Sequence, residues 1–424
     1  MRASGVVAQR VEGIGGRGGG TLCGGVDGGG LLAVGGSNRS GDLFSDQLVF
    51  TQPALAPRPL PAGQGGCALP GIGGHSATSV SISGAGSGVL LFGGINFVEE
   101  TVAAGLYERW AGSGWREIPP VPQKTPSGRT GHTLSAVPPP IILSPAPSAA
   151  GAGAAAPAGA PALALREVVG WDASAPLAVL FAGSTPADGP LCDLHLLRCS
   201  SGGPAAEGLG ARQYTWSTPA TTGPAPGPRE LHAAFVRPAI VQLQEASSSS
   251  SGSGGGGGSS SGETVVHLLA PAALCVHGGR SEDGAPLRDL CVLDLQALAW
   301  LPPVKTPHAL CSSAAAPSPN GLALLQFGGL QGGSGGLSGA CLVLDTGASG
   351  AALAPEAWGW SAVALPPPAP PPRFAAAAGA LAFGAGEGGD LCRLCVWGGM
   401  TVEEDLAIAL WIDVPLQRPA FLPQ

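Results

Sequence analysis

The chain has 424 residues, with 28 acidic side chains against 20 Lys and Arg and a formal net charge of −8. Only 11% of residues are charged, which excludes the broad basic surface that contact with nucleic-acid phosphates requires. Hydrophobic residues make up 44%, alongside 71 Gly and 42 Pro, a mixture that suits many short buried strands joined by tight turns better than a disordered polymer.

No apolar run reaches the roughly 18 residues that span a bilayer, so no membrane partner is expected. The ten cysteines are scattered through apolar stretches, where buried thiols pack well, and point to a reducing compartment, cytoplasmic or nuclear. Arg2, Arg10 and Arg17 with few acids nearby leave an organelle transit segment open.

Residues 1–30 are Gly-rich, with an apolar stretch at Val6, Val7, Val11 and Ile14. Leu31 to Val34 then runs into Gly35-Gly36, followed by a polar loop to Asp46 and the apolar run 47–50. The same order returns from His75: Val89 to Phe92, Gly93-Gly94, a loop with Glu99 and Glu100, then Tyr107 and Trp115. A third unit opens at Arg129 and His132, breaks for a Pro/Ala-rich insert, and resumes before Ala182-Gly183, with Asp193 and Trp216 beyond.

The fourth opens at Arg229 and His232, is interrupted by a Ser/Gly tract, and reaches Gly278-Gly279, Asp289 and Trp300. The fifth runs from His308 to Gly328-Gly329, then residues 341–345, Trp358 and Trp360; the sixth runs from Arg373 to Gly398-Gly399, Asp405 and the apolar run 407–412. Each unit reads as two buried strands with a glycine-permitted turn between them, followed in the second to fifth by an aromatic on an outer strand; no Trp follows in the first. The second glycines stand at 36, 94, 183, 279, 329 and 399, a period of about 50 once inserts are discounted.

This order resembles the kelch repeat, over roughly residues 20–414. The resemblance implies an all-β fold: a six-bladed β-propeller of four-stranded antiparallel blades, at about 20–60, 72–121, 128–219, 228–304, 306–365 and 372–414. Disordered inserts are expected at 138–164 and 237–272. The last unit lacks an outer strand, so residues 5–14 are expected to supply it, with Phe421-Leu422 as the alternative. The glycine landmarks and Trp115, Trp216 and Trp300 are assigned structural roles.

Arg129, Arg229 and Arg373 open inner strands. In kelch proteins that bind acidic peptides, arginines so placed project into the mouth of the channel. The resemblance therefore implies a partner site for an acid-bearing protein or peptide, and a non-catalytic scaffold or adaptor. The competing account of each arginine is an ion pair with a loop acid such as Asp42, Glu99, Glu100, Asp188, Glu282, Asp283, Glu403 or Glu404. The competing function is an accessory subunit of a modifying enzyme, or an oxidoreductase with a cryptic metal site.

No catalytic constellation, cofactor or metal site is expected from the sequence. Residues 13–18 fit G-x-G-x-x-G without a strand-turn-helix around them, and residues 332–336 fit G-x-S-x-G inside a glycine-rich loop. Cys392 and Cys395 form a lone C-x-x-C whose members would point to opposite faces of a strand. His75, His132, His232 and His308 recur near inner-strand starts and read as repeat features.

Overall fold

A computed structural model describes residues 5–25, 30–51, 57–60, 66–82, 86–122, 124–143, 176–201, 212–245, 264–333, 336–347, 352–386 and 389–417. The class is all-β; apart from one short 3-10 turn at Pro355–Ala357, the regular structure among these residues is strand. Six antiparallel sheets follow one another along the chain. The first contains Thr21–Gly24, Leu31–Val34, Gln47–Phe50 and Pro57–Pro59, the last being an outer strand without the aromatic that the outer strands of the third, fourth and fifth sheets carry. The second contains Ser76–Ile82, Gly86–Phe92, Leu106–Trp110 and Arg116–Ile118, and the third Thr133–Ala136, Ala178–Thr185, Gly189–Ser201 and Arg212–Ser217.

Ala233–Arg237, Ala273–His277, Asp289–Asp294 and Ala299–Trp300 make the fourth sheet, with Val304–Lys305 also on its third strand. Ala314–Pro317, Ala323–Phe327, Cys341–Asp345 and Gly359–Val363 make the fifth. The sixth takes Ala377–Gly386, Gly389–Trp397 and Ile408–Gln417 from the end of the chain and its outer strand, Val6–Arg10, from the beginning. Val6 faces Ile412 and Arg10 faces Ile408 in antiparallel register. Phe421 and Leu422, the alternative for this place, lie outside the described residues.

The middle strands are mostly apolar because both of their faces are covered. Leu31–Val34, Ala273–His277 and Ala323–Phe327 are buried at every position, the pattern of a strand enclosed between layers. Six cores result, each shared by consecutive sheets: Leu32 with Leu91, Phe92 with Leu180, Phe181 with Val276, Val292 with Leu344, Phe327 with Leu394, and Cys395 with Leu31. The sixth core joins the last sheet to the first. Trp115, Trp216 and Trp300 are buried in three of these interfaces. Trp216 packs on Phe92 of the preceding sheet at 5.5 Å and Trp300 on Phe181 at 5.6 Å, offset ring geometries that favour aromatic pairs.

Two series of backbone hydrogen bonds run from sheet to sheet in the same cyclic order. The N–H groups of Gly36, Gly94, Gly183, Gly279, Gly329 and Gly399 donate in turn to the carbonyls of Ile72, Arg129, Arg229, Leu310, Arg373 and Arg17, at 2.8–3.0 Å. The second series is closed link by link. Gly74 donates to Gly19, Gly131 to Gly74, Leu231 to Gly131, Ser312 to Leu231, Ala375 to Ser312, and Gly19 back to Ala375, at 2.7–3.0 Å. All six members have φ between 53° and 66°. That left-handed conformation costs Leu231, Ser312 and Ala375 roughly 1–2 kcal/mol each, a cost of the same order as the net gain from the two bonds at each position.

The inserts are not wholly irregular. Ile141–Leu143 pairs in parallel with Ile240–Glu245, which pairs in turn with Thr264–Ala270, giving a three-stranded sheet built from the loops of the third and fourth sheets. The expectation of disordered loops over 138–164 and 237–272 is corrected for these residues. Leu143 and Ile240 bury with Leu322, beside the fifth sheet, and Val241 and Val266 with the core between the third and fourth, while Ile142 and Leu269 stay exposed. The Ser/Gly tract 246–262 and residues 144–164 lie outside the described residues.

The glycine landmarks sit where neighbouring backbone comes closest. Gly328 has φ 72°, and a Cβ built on it would overlap the carbonyl oxygen of Arg373. Gly328→Ala should therefore destabilise the protein by about 2–4 kcal/mol, read from the denaturant midpoint at unchanged m-value. Removing residues 1–14 should lower the melting temperature by about 5 °C or more, because it uncovers the edge of Ile408–Gln417; an unaltered melting curve would mean that this strand adds nothing to closure.

Candidate functional site

Strand register places equivalent residues of the six sheets side by side. The residue whose carbonyl receives the glycine bond is Arg17, Ile72, Arg129, Arg229, Leu310 and Arg373 in the first to sixth sheets. On the third strand, the residue just before the partner of the last residue ahead of each glycine landmark is Asp46, Gly105, Asp193, Asp289, Ala340 and Ile408. Where the first set has an apolar residue, the second has Gly or Ala. Where the first has Arg17, Arg129 or Arg229, the second has Asp.

These three arginines are buried and paired within their own sheets. Arg129 donates through Nη1 and Nη2 to the two oxygens of Asp193 at 2.6 and 2.8 Å, and to the Ala182 carbonyl at 3.1 Å. Arg229 repeats this on Asp289, 2.9 Å to each oxygen, and on the Gly278 carbonyl at 3.0 Å. Arg17 holds Asp46 in the same forked way. Burial by itself raises the carboxyl of Asp193, but hydrogen bonds from His195 and Arg129 outweigh it and hold the group well below the ordinary range. Asp289 is lowered for the same reason, with Arg229 opposing the effect of burial.

Arg129 and Arg229, expected to reach a partner, thus have their forks filled by a carboxylate one strand away. The acids anticipated for such pairing were loop residues such as Asp188 and Glu282; the actual partners are Asp193, inside the strand Gly189–Ser201, and Asp289, which opens its strand. An open groove of about 640 Å³ lies over the Arg229–Asp289 pair, lined also by Ser281, Glu282, Asp283 and Leu287.

Arg373 differs. It is 1% exposed and donates through Nη1 to the Gly398 carbonyl at 3.1 Å and through Nε to the Pro371 carbonyl at 3.3 Å. Ile408 stands where its carboxylate would be, and Nη2 has no hydrogen-bond partner among the described residues. Burial pulls this guanidinium down to about 10, so it carries its charge at neutral pH, enclosed and incompletely bonded. Asp405, placed by the sequence pattern at the head of this strand, lies three residues earlier and binds Arg39 of the first sheet instead.

Three residues after each column position stand Gly20, His75, His132, His232, Ser313 and Ala376. His75 Nε2 lies 3.0 Å from Thr21 Oγ1, His232 Nε2 2.9 Å from Thr133 Oγ1, and His132 Nε2 donates to the Phe92 carbonyl at 3.1 Å. Each ring bridges to the preceding sheet. His308 is outside this set, since the fifth sheet places Ser313 there, and among the described residues no three His, Cys, Asp or Glu side chains gather as a metal-binding group. Cys392 and Cys395 are buried in two different cores on opposite faces of their strand. Arg17 was not among the candidates read from sequence; its spacing of three residues before Gly20, like Arg129 before His132, was the available signal.

No family model and no curated protein matches this chain.

Burial, reinforced by Arg129 and Arg229 beside two of the rings, lowers His75 to about 4 and His132 and His232 to about 3. These rings stay neutral in the folded state, whereas in the unfolded chain they protonate near 6.5. Their contribution to stability is therefore complete above about pH 6.5 and is lost as pH falls towards 4, by roughly 3 kcal/mol per histidine at the lower limit. Denaturant titrations at a series of pH values should show this loss, with a smaller slope in His232→Gln than in the wild type.

Proposed function

We propose that the chain is a six-bladed β-propeller of the kelch type that acts as a non-catalytic scaffold or adaptor, taking a protein or peptide partner on the face formed by the loops after the glycine landmarks. Support for the propeller comes from the cyclic order of the six shared cores and from the hydrogen-bond series that returns from Ala375 to Gly19. A linear stack would leave its first and last faces without each other. The arrangement of ten free cysteines, seven of them buried, supports a reducing compartment such as the cytoplasm or nucleus. Among the described residues, no helix is long and apolar enough to cross a membrane.

The observation that carries the partner reading is Arg373. Of the three arginines assigned to recognition, it alone lacks the carboxylate that completes its counterparts. In this reading a carboxylate of the partner takes the place that Asp193 and Asp289 occupy in their sheets, after Ile408 moves aside. A fork-to-carboxylate contact of this kind, shielded from water, is strong and geometrically selective.

Two substitutions test it. Arg373→Ala removes the donor, and Ile408→Asp supplies the missing acid from within, leaving the donor in place but occupied. Quantitative capture from native extract should lose the same partner with both variants, while thermal melting of Ile408→Asp stays at or above the wild-type value. Retention of every wild-type partner by both variants would remove Arg373 from recognition.

A further inference from the structure

Seven large hydrophobic side chains are exposed among the described residues, and three of them, Phe97, Val98 and Val402, sit on loops of the second and sixth sheets that flank the first. Phe97 is 51% exposed, Val98 70% and Val402 80%. The loop of the first sheet joins them. On one side, Arg39 donates to the Val402 carbonyl at 2.9 Å and to the Thr401 carbonyl, and its own backbone N–H reaches Asp405 at 2.9 Å. On the other, a Cβ placed on Gly73 would lie 2.9 Å from Phe97 and 3.0 Å from Ser37 Oγ, so the Phe97 ring lies across that glycine against the same loop.

The three loops are braced in place. Asn96 Oδ1 accepts from the N–H groups of Val98 and Glu99 at 3.0 and 3.2 Å. Thr401 Oγ1 accepts from Glu403 and Glu404 at 3.1 and 2.9 Å. Asn38 and Asp42 close the middle loop reciprocally at 2.8 and 2.9 Å. An apolar side chain held out by such bonds does not collapse onto the surface, and little ordering remains to be done when a partner arrives.

Around the apolar side chains the charge is of one sign. Glu99, Glu100, Glu403 and Glu404 are exposed, while the nearby cation, Arg39, is engaged by Asp405. This rim repels an acidic peptide or an anionic lipid surface and attracts Lys or Arg. We propose that the loops 37–43, 95–101 and 401–405 form a docking surface for a segment of a partner protein in which apolar and basic residues are interleaved. The apolar residues cover Phe97, Val98 and Val402, and the basic ones meet the four glutamates. The inference rests on the protein-binding reading above but uses neither Arg373 nor a carboxylate of the partner.

The full-length protein can be titrated into a fluorescein-labelled 14-residue peptide of alternating Leu and Lys, with a Leu/Glu peptide of the same length and zwitterionic vesicles as comparison probes. Saturable binding of the Leu/Lys peptide is expected, weakened at least tenfold by Val98→Ser with Val402→Ser. Glu403→Gln with Glu404→Gln should weaken it several-fold and flatten its salt dependence, while the distant Glu117→Gln leaves it unchanged. Equal binding of the Leu/Glu peptide, insensitivity to the loop variants, absence of saturation, or preferential binding to the vesicles would each overturn the proposal. Arg373→Ala should leave this Kd unchanged, so a failure here beside a preserved Arg373-dependent partner would sink the loop surface alone.

Discussion

Six backbone amides, each hydrogen-bonded to the carbonyl of the equivalent residue one sheet earlier, constrain everything else in this molecule. The link from Gly74 to Gly19 and the link from Gly19 to Ala375 belong to one circuit, so no sheet can shift along its neighbour without breaking a bond on either side. The circuit demands left-handed backbone at every member. Glycine meets that demand without strain in the first three sheets, whereas Leu231, Ser312 and Ala375 hold it against their own preference. The six apolar cores give the sheets a reason to stack; the circuit ties each to the next at one fixed position.

The buried arginines follow from the same constraint. Each column residue already gives its carbonyl to a neighbouring glycine, so its side chain is enclosed where sheets converge. A guanidinium enclosed there must be matched, since an unmatched buried charge is costly. Arg129 with Asp193 and Arg229 with Asp289 meet this rule, and Ile72 and Leu310 avoid it by carrying no charge, with Gly105 and Ala340 opposite them. Arg373 opposite Ile408 breaks the agreement between the two positions, and departures from an otherwise consistent rule are where function is to be sought.

Much of the β-architecture was legible in the sequence because its signal is local. The apolar run into Gly-Gly, as at Leu324 to Gly329, reports a buried strand and its turn without reference to any distant residue. The pairing of Arg129 with Asp193 was not legible: the repeat order set Asp193 apart from Asp188 as a landmark, but which acid meets the arginine is decided by register between strands. The sheet formed by residues 141–143, 240–245 and 264–270 was hidden for a second reason. Its strands are short, lie in segments dominated by Ala, Pro, Ser and Gly, and find their partners across a gap of about a hundred residues. His308 misled because the repeat of histidines was read by type, while the fold repeats the position, which Ser313 fills.

The pairing of Val6–Arg10 with Ile408–Gln417 bears on how the protein is made. Synthesis is vectorial, and Val6–Arg10 leaves the ribosome long before the other strands of its sheet, Ala377–Gly386, Gly389–Trp397 and Ile408–Gln417. Until they emerge that segment has no place to pair, and the flank of the first sheet that will meet Cys395 and Trp411 stays open to water. Closing so long a loop is slow compared with forming the hairpins inside it. In that interval the uncovered strand edge and apolar flank are open to chaperones, or to another copy of the same chain.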